Sequence, residues 1–116
     1  MPEQAESKLA SNVASPTTCV LKRGCDIFRI SSTMWVEALA LALRFKWNPP
    51  GTSTSYLATG FHVSSENAMA LSNAFDRIFA MAIHDPVQFY PVRIDMGQLY
   101  LLKEFVEGGE FEVGDE

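Results

Sequence analysis

The stretch VSSENAMALSNAFDRIFAMAIHDP, residues 63–86, decides how the rest of the chain is read. Ser64 stands where a side-chain oxygen caps the free amides of a helix start. Glu66 complements the positive end of the helix dipole, and Val63 is placed to staple against Ala68. Leu71, Phe75, Ile78, Phe79 and Ala82 then fall at i, i+4, i+7, i+8 and i+11, an apolar stripe of helical period. Asn73, Asp76 and Arg77 lie off that stripe, and Asp85-Pro86 ends the segment. An amphipathic helix must bury its apolar face, and the flanking segments supply the surface for it.

Upstream, Tyr56-Leu57-Ala58 and Phe61-His62-Val63 are β-prone runs around Thr59-Gly60, which predicts a hairpin. Cys25–Ile30 alternates, with Asp26, Phe28 and Ile30 on one face and Cys25 and Ile27 on the other, so a strand is expected there. Ser31 or Ser32 caps a following helix that runs to Phe45. Trp35, Leu39, Ala42, Leu43 and Lys46 define one face of it, widened by Leu41 and Phe45. Trp47-Asn48-Pro49-Pro50-Gly51-Thr52 stops this helix, because Pro49 forces the preceding residue out of the α region.

Downstream, Val87–Val92 is aromatic and broken by Pro91, a loop or short edge strand. Ile94-Asp95-x-x-Gln98-Leu99 has the form of a capped helix start, continuing through Leu102 and Val106 to a stop at Gly108-Gly109. Glu110–Val113 alternates, placing Phe111 and Val113 inward on a half-buried strand. The expected fold is therefore α/β in the α+β sense. A small, mainly antiparallel sheet of roughly three to four strands is covered on one face by about three helices. The last strand is expected beside the first strand or the hairpin.

Composition agrees with one globular domain: 116 residues, 47% hydrophobic and 11% aromatic, with eight Phe and two Trp to fill a core. Residues 1–18 are polar and aperiodic and are expected to form a mobile tail. The domain is expected over 19–113, with 114–116 as an acidic end. Net charge is −5, and after Lys103 come Glu104, Glu107, Glu110, Glu112, Asp115 and Glu116 with no basic residue. That end argues against nonspecific binding of nucleic acid or anionic membranes and favours a basic protein partner, if it is used at all. The longest mainly apolar run, Met34–Phe45, is short of a membrane span and carries Glu37 and Arg44. Residues 1–18 have no apolar signal core, so a cytoplasmic location is expected. Cys19 and Cys25 lie six apart, a spacing that permits a disulfide in a loop but matches no metal-ligand pattern. No metal and no cofactor is expected.

Three groups of residues have an order that resembles something known. They are Leu43-x-x-Lys46-Trp47-x-Pro49-x-Gly51-Thr52, Val63-Ser64-x-Glu66-Asn67-Ala68, and Phe105-x-x-Gly108-Gly109-x-Phe111-x-Val113. Together, over roughly residues 33–113, they resemble a group of small uncharacterised bacterial proteins. That group shares a Gly-Trp-x-Pro-x-Gly-Thr turn, a Val-Ser/Thr-x-Glu-Asp-Ala helix start and a Gly-Gly-Phe ending. The chain departs from the pattern at Lys46, where the turn begins with Gly, and at Asn67, where the group has Asp. The resemblance implies a fold and a bacterial source, and brings no chemistry with it.

Two function classes follow from the residues. A loop holding Trp47, Pro49, Pro50 and Tyr56 is rigid and partly apolar, and Phe89 and Tyr90 extend it; Trp and Tyr are frequent interface anchors. Trp47 has a second reading, in which it folds back onto the core. With no catalytic motif present, the favoured expectation is a noncatalytic protein-interaction or regulatory module of the immunity-protein kind. The alternative is a small enzyme or ligand-binding domain whose pocket holds Cys25, Tyr56 and His62, with a Cys/His couple yielding a thiolate. His84-Asp85 is read as a helix end, where a cationic His is favoured.

Overall fold

The computed structural model describes residues 18–47, 60–85 and 94–115. In chain order the elements are β1 Thr18–Arg23, β2 Asp26–Ser31, α1 Ser32–Arg44, β3 Phe61–Val63, α2 Ser65–His84, α3 Met96–Val106 and β4 Phe111–Asp115. The strands form one antiparallel sheet of order β2-β1-β4-β3, so the C-terminal strand lies inside the sheet, between the first strand and Phe61–Val63. The fold is the α+β sheet with helices on one face that the sequence predicts. β4 lies beside Phe61–Val63, one of the two places expected for it, and is separated from Asp26–Ser31 by β1.

The hairpin β1–β2 is an addition to the sequence reading, which placed the first strand at Cys25. Arg23 pairs with Asp26, leaving Gly24 and Cys25 as a two-residue turn. Gly24 has φ 60, and Gly is the residue that supplies a positive φ at the first turn position without strain. Cys25 is therefore a turn residue. The first arm of the predicted hairpin, Tyr56–Ala58, and the aromatic run 87–92 lie outside the described residues.

Register separates the two faces of the sheet. Leu21 pairs with Phe28 and Val113, Val113 with Phe61, and Phe111 with Val63. These residues face the helices and join one core with Trp35, Leu39, Leu71, Phe75, Ile78, Leu99, Leu102 and Val106. Full burial of each large side chain stabilises by about 1.5–3 kcal/mol relative to exposure. An aromatic chain ties the layers together. Phe28 stacks on Phe105 with ring centroids 5.6 Å apart, Phe105 meets Phe111 edge-on at 5.7 Å, and Phe111 meets Trp35 at 6.4 Å. The other face carries the cross-strand row Ile27, Lys22, Glu112, His62, all exposed.

The helix starts are as expected. Ser31, Ser64 and Asp95 accept backbone N–H bonds from Met34, Asn67, and both Gly97 and Gln98, respectively. Val63 and Ala68 are both fully buried. In α1 the buried stripe is Trp35, Ala38, Leu39, Leu41 and Ala42, and Leu43, expected on the inner face, is 37% exposed. Centring the stripe on Ala38 and Ala42 rotates Leu43 outward.

The end of α1 holds what the sequence reading did not contain, while the end of α3 falls at the Gly108-Gly109 stop it predicts. At the end of α1 the Trp47 amide donates to the Ala42 carbonyl and the Lys46 amide to Leu43, both at 3.0 Å. This is a Schellman closure, in which the residue after the cap takes the left-handed conformation. Lys46 fills it with φ 70, although Gly is the usual occupant and a side chain there costs about 1–2 kcal/mol. So Lys46 leaves the helix instead of extending its apolar face. At the end of α3 the left-handed residue is Gly109, φ 114.

Each of these two helix ends is also met by an arginine from elsewhere. Arg77 Nη1 on α2 donates to the Phe45 carbonyl at 3.0 Å. Arg23 Nη2 on β1 donates to the carbonyls of Phe105 at 2.5 Å and Gly109 at 3.0 Å, and its Nε donates to Glu110 O at 3.3 Å. The same guanidinium lies over the Phe105 ring, 4.2 Å from its centroid. A cation over the carbonyl end of a helix is favoured by the dipole as well as by the hydrogen bonds.

Candidate functional site

Cys25 and His62, the two described residues of the pocket alternative, do not converge. His62 lies on the edge strand β3 on the helix-free face, two strands from Lys22 in the same cross-strand row. Two strand spacings are about 10 Å, and Cys25 lies further off, in the turn beyond the end of β1. A Cys25–His62 couple is therefore not formed. Both cysteines are free: Cys25 is exposed, and half-buried Cys19 has its Sγ 3.6 Å from Ser32 Oγ. They sit at opposite ends of a fully extended strand, so the disulfide that their spacing allowed in a loop is out of reach. Tyr56 is outside the described residues.

His62 has a different role. Its Nδ1 is 2.5 Å from Glu112 Oε2 and its Nε2 is 3.3 Å from Glu110 Oε2. Both ring nitrogens are thus engaged by carboxylates of the neighbouring chain segment, and the imidazole latches β3 to β4. Two of the carboxylates of the acidic end are taken up in this way. A third, Glu107, pairs with Lys103 at 2.7 Å. What the sequence presents as an acidic terminus is in the structure the last turn of α3 followed by an interior strand.

Trp47 is only 2% exposed, with its indole N–H donating to the Asn67 carbonyl at 3.3 Å. The core reading of this residue holds and the interface-anchor reading does not. Pro49, Pro50, Phe89 and Tyr90 lie outside the described residues.

Two surfaces stand out in their place. The first is the outer side of the α2–α3 pair. The helices run antiparallel and are tied by Lys103 Nζ, 3.3 Å from Asp76 Oδ1, and by Phe79 against Tyr100 with centroids 6.1 Å apart. Lys103 has its pKa raised from 10.5, chiefly by the hydrogen bond to Glu107 and also by Asp76, against an opposing effect of burial. Beside that tie Ile83 is 78% exposed, one turn beyond Phe79 on the same flank, and Tyr100 is half exposed. Met69, two turns before Asp76 on that flank, is also exposed. Phe79, Ile83 and Tyr100 make an apolar patch, and among the described residues of α2 and α3 the charged groups on that flank include Asp76, Glu104 and Glu107 beside Lys103.

The second surface is an open cleft of about 280 Å³ at the end of α1, lined by Phe45, Lys46, Trp47, Asn67, Ala70, Asn73 and Arg77. Its charged lining residues are both cationic, in a chain of net charge −5. No buried side-chain nitrogen or oxygen among the described residues lacks a hydrogen-bond partner. No group of His, Cys, Asp and Glu among them is arranged to hold a metal ion, and no described helix is long and apolar enough to cross a membrane.

Compared with protein-family models, with curated proteins and with solved structures, the chain finds no match in any of the three.

Neither surface was singled out from the sequence. Ile83 and Tyr100 carry no signal separate from their helices' apolar content. Lys46 did carry one, as the residue standing where the resembling turn has Gly.

Proposed function

We propose that this domain is a noncatalytic protein-interaction module whose contact surface is the outer side of α2 and α3. The observation that carries the reading is the apolar patch of Phe79, Ile83 and Tyr100, with Ile83 78% exposed beside an acidic rim. Exposing that much apolar area has no benefit to an isolated fold, whereas an interface core of aromatic and aliphatic side chains gains from it. The rim selects the partner's chemistry. Asp76, Glu104 and Glu107 outnumber Lys103, so the complementary surface is an apolar protein segment flanked by Lys or Arg.

Photocrosslinking tests this directly. A photoreactive amino acid at position 83 is expected to capture one partner of defined size in the native host, with a yield that falls as salt is raised. The same group at position 66, exposed on the first turn of α2, is the control. Equal capture at both positions, or none at 83, refutes the reading. A covalent dimer of this chain at 83 also refutes it, since two acidic rims would then face each other.

A further inference from the structure

We propose that the cleft at the end of α1 binds the phosphoryl group of a small phosphomonoester. The inference is independent of the α2–α3 surface, because Asn67, Asn73 and Arg77 lie on the flank of α2 turned away from α3.

Three observations converge on it. First, Lys46 holds a left-handed φ of 70 at the helix-closing position. Gly fits that position without strain, so a lysine there sacrifices stability, and Lys46 is exposed and among the residues that line the cleft. Second, the lining brings together donors of the kind an oxyanion needs. The side chains of Lys46 and Asn73 make no hydrogen bond or ion pair among the described residues. Arg77 commits Nη1 to the Phe45 carbonyl, leaving the rest of its fork to a ligand. No carboxylate is among the lining residues. Glu66, one turn before Ala70 on the same flank, lies outside the cleft. Third, the cleft is shaped for more than a bare ion. Its volume of about 280 Å³ is many times a water molecule's share, and Phe45 and Trp47 give it an apolar wall. Two cations match the charge of a phosphate dianion better than that of a single carboxylate.

The indole N–H of Trp47 reports on the site, because it bonds to Asn67 O within the cleft wall. The chain has two Trp, and Trp35, buried among the core residues, supplies the reference signal. Phenyl phosphate and inorganic phosphate are titrated into the full chain at constant ionic strength while the two indole N–H resonances are followed by NMR. The expected result is a saturable shift of Trp47 alone, at lower concentration for phenyl phosphate than for phosphate.

Two variants separate binding from folding. Lys46→Gly is expected to weaken binding about tenfold or more while raising the melting temperature by about 5 °C, since it relieves the backbone. Asn73→Asp places a carboxylate in the cleft and is expected to abolish the shift at unchanged stability. Wild-type binding in both variants refutes the proposal, as does a Trp47 shift that does not saturate. Acetate binding as tightly as phenyl phosphate overturns the assignment to a phosphoryl group.

Discussion

Replacing Gly108 by alanine has a sign that depends on a residue in the first strand. Gly108 is not among the glycines with positive φ, so its backbone is open to any residue. An alanine at such a site is ordinarily stabilising by about 0.4–1 kcal/mol, because it restricts the unfolded chain. Here, however, a Cβ at Gly108 would lie 2.6 Å from Arg23 Cζ. The guanidinium is held there by bonds to the carbonyls of Phe105, Gly109 and Glu110 and by the face of Phe105. Expelling it forfeits charge-assisted hydrogen bonds, a cation–π contact and the compensation of the helix dipole. Taken together, and discounted for partial exposure, these are worth about 2–3 kcal/mol.

Gly108→Ala should thus destabilise by about 1–2 kcal/mol, and Arg23→Ala by about 2–3 kcal/mol. With the arginine already gone, Gly108→Ala should be neutral or stabilising. The coupling of about 2 kcal/mol corresponds to roughly 10 °C in melting temperature for a domain of this size. Urea unfolding of the wild type, both single variants and the double variant measures it. A Gly108→Ala penalty of the same size in both backgrounds refutes the reasoning, because the glycine would then be required by its own backbone and not by the guanidinium.

Further expectations follow from the caps, the helix pair and the cysteines. Ser64→Ala removes the oxygen that accepts from the Asn67 amide and should cost about 1 kcal/mol in urea unfolding, with Ser64→Asn close to neutral. Lys103 has its pKa raised above 10.5 by Glu107 and Asp76, so the stability it contributes is complete below the unfolded value and lost as pH rises through the folded one. The difference in urea midpoint between wild type and Lys103→Met should accordingly shrink above about pH 10.5 and stay level between about pH 7 and 9. Cys25 is exposed in its turn and Cys19 half-buried beside Ser32, so a thiol reagent should label Cys25 first. Mild oxidation should leave no intramolecular bridge, as mass analysis without reduction would reveal.

Much of the fold was legible because its determinants are local. Each of Ser31, Ser64 and Asp95 satisfies amides within three residues of itself, and the stripe Leu71–Phe75–Ile78 follows from helical period alone. The inward faces of Phe111 and Val113 follow from strand alternation in the same way. The sequence by itself therefore determined the three helices with their starts, the last strand, and the single helix-covered face of the sheet. It also carried Lys46 in plain view, but without the φ that gives that lysine its meaning.

Tertiary structure decided the rest, because the rest depends on partners far apart in the chain. Arg23 and the end of α3 are separated by 82 residues, and nothing local to either predicts that one caps the other. His62 was a pocket residue only in the alternative reading, and Glu112 on β4 with Glu110 just before it occupies both of its nitrogens. Trp47 had two readings, of which the core was favoured, and burial with the Asn67 carbonyl receiving its N–H bears that one out. Short-range hydrogen bonding and periodicity are written in neighbouring residues. Which cation meets which carbonyl, and which apolar side chain stays in water, is settled only when the strands find their order.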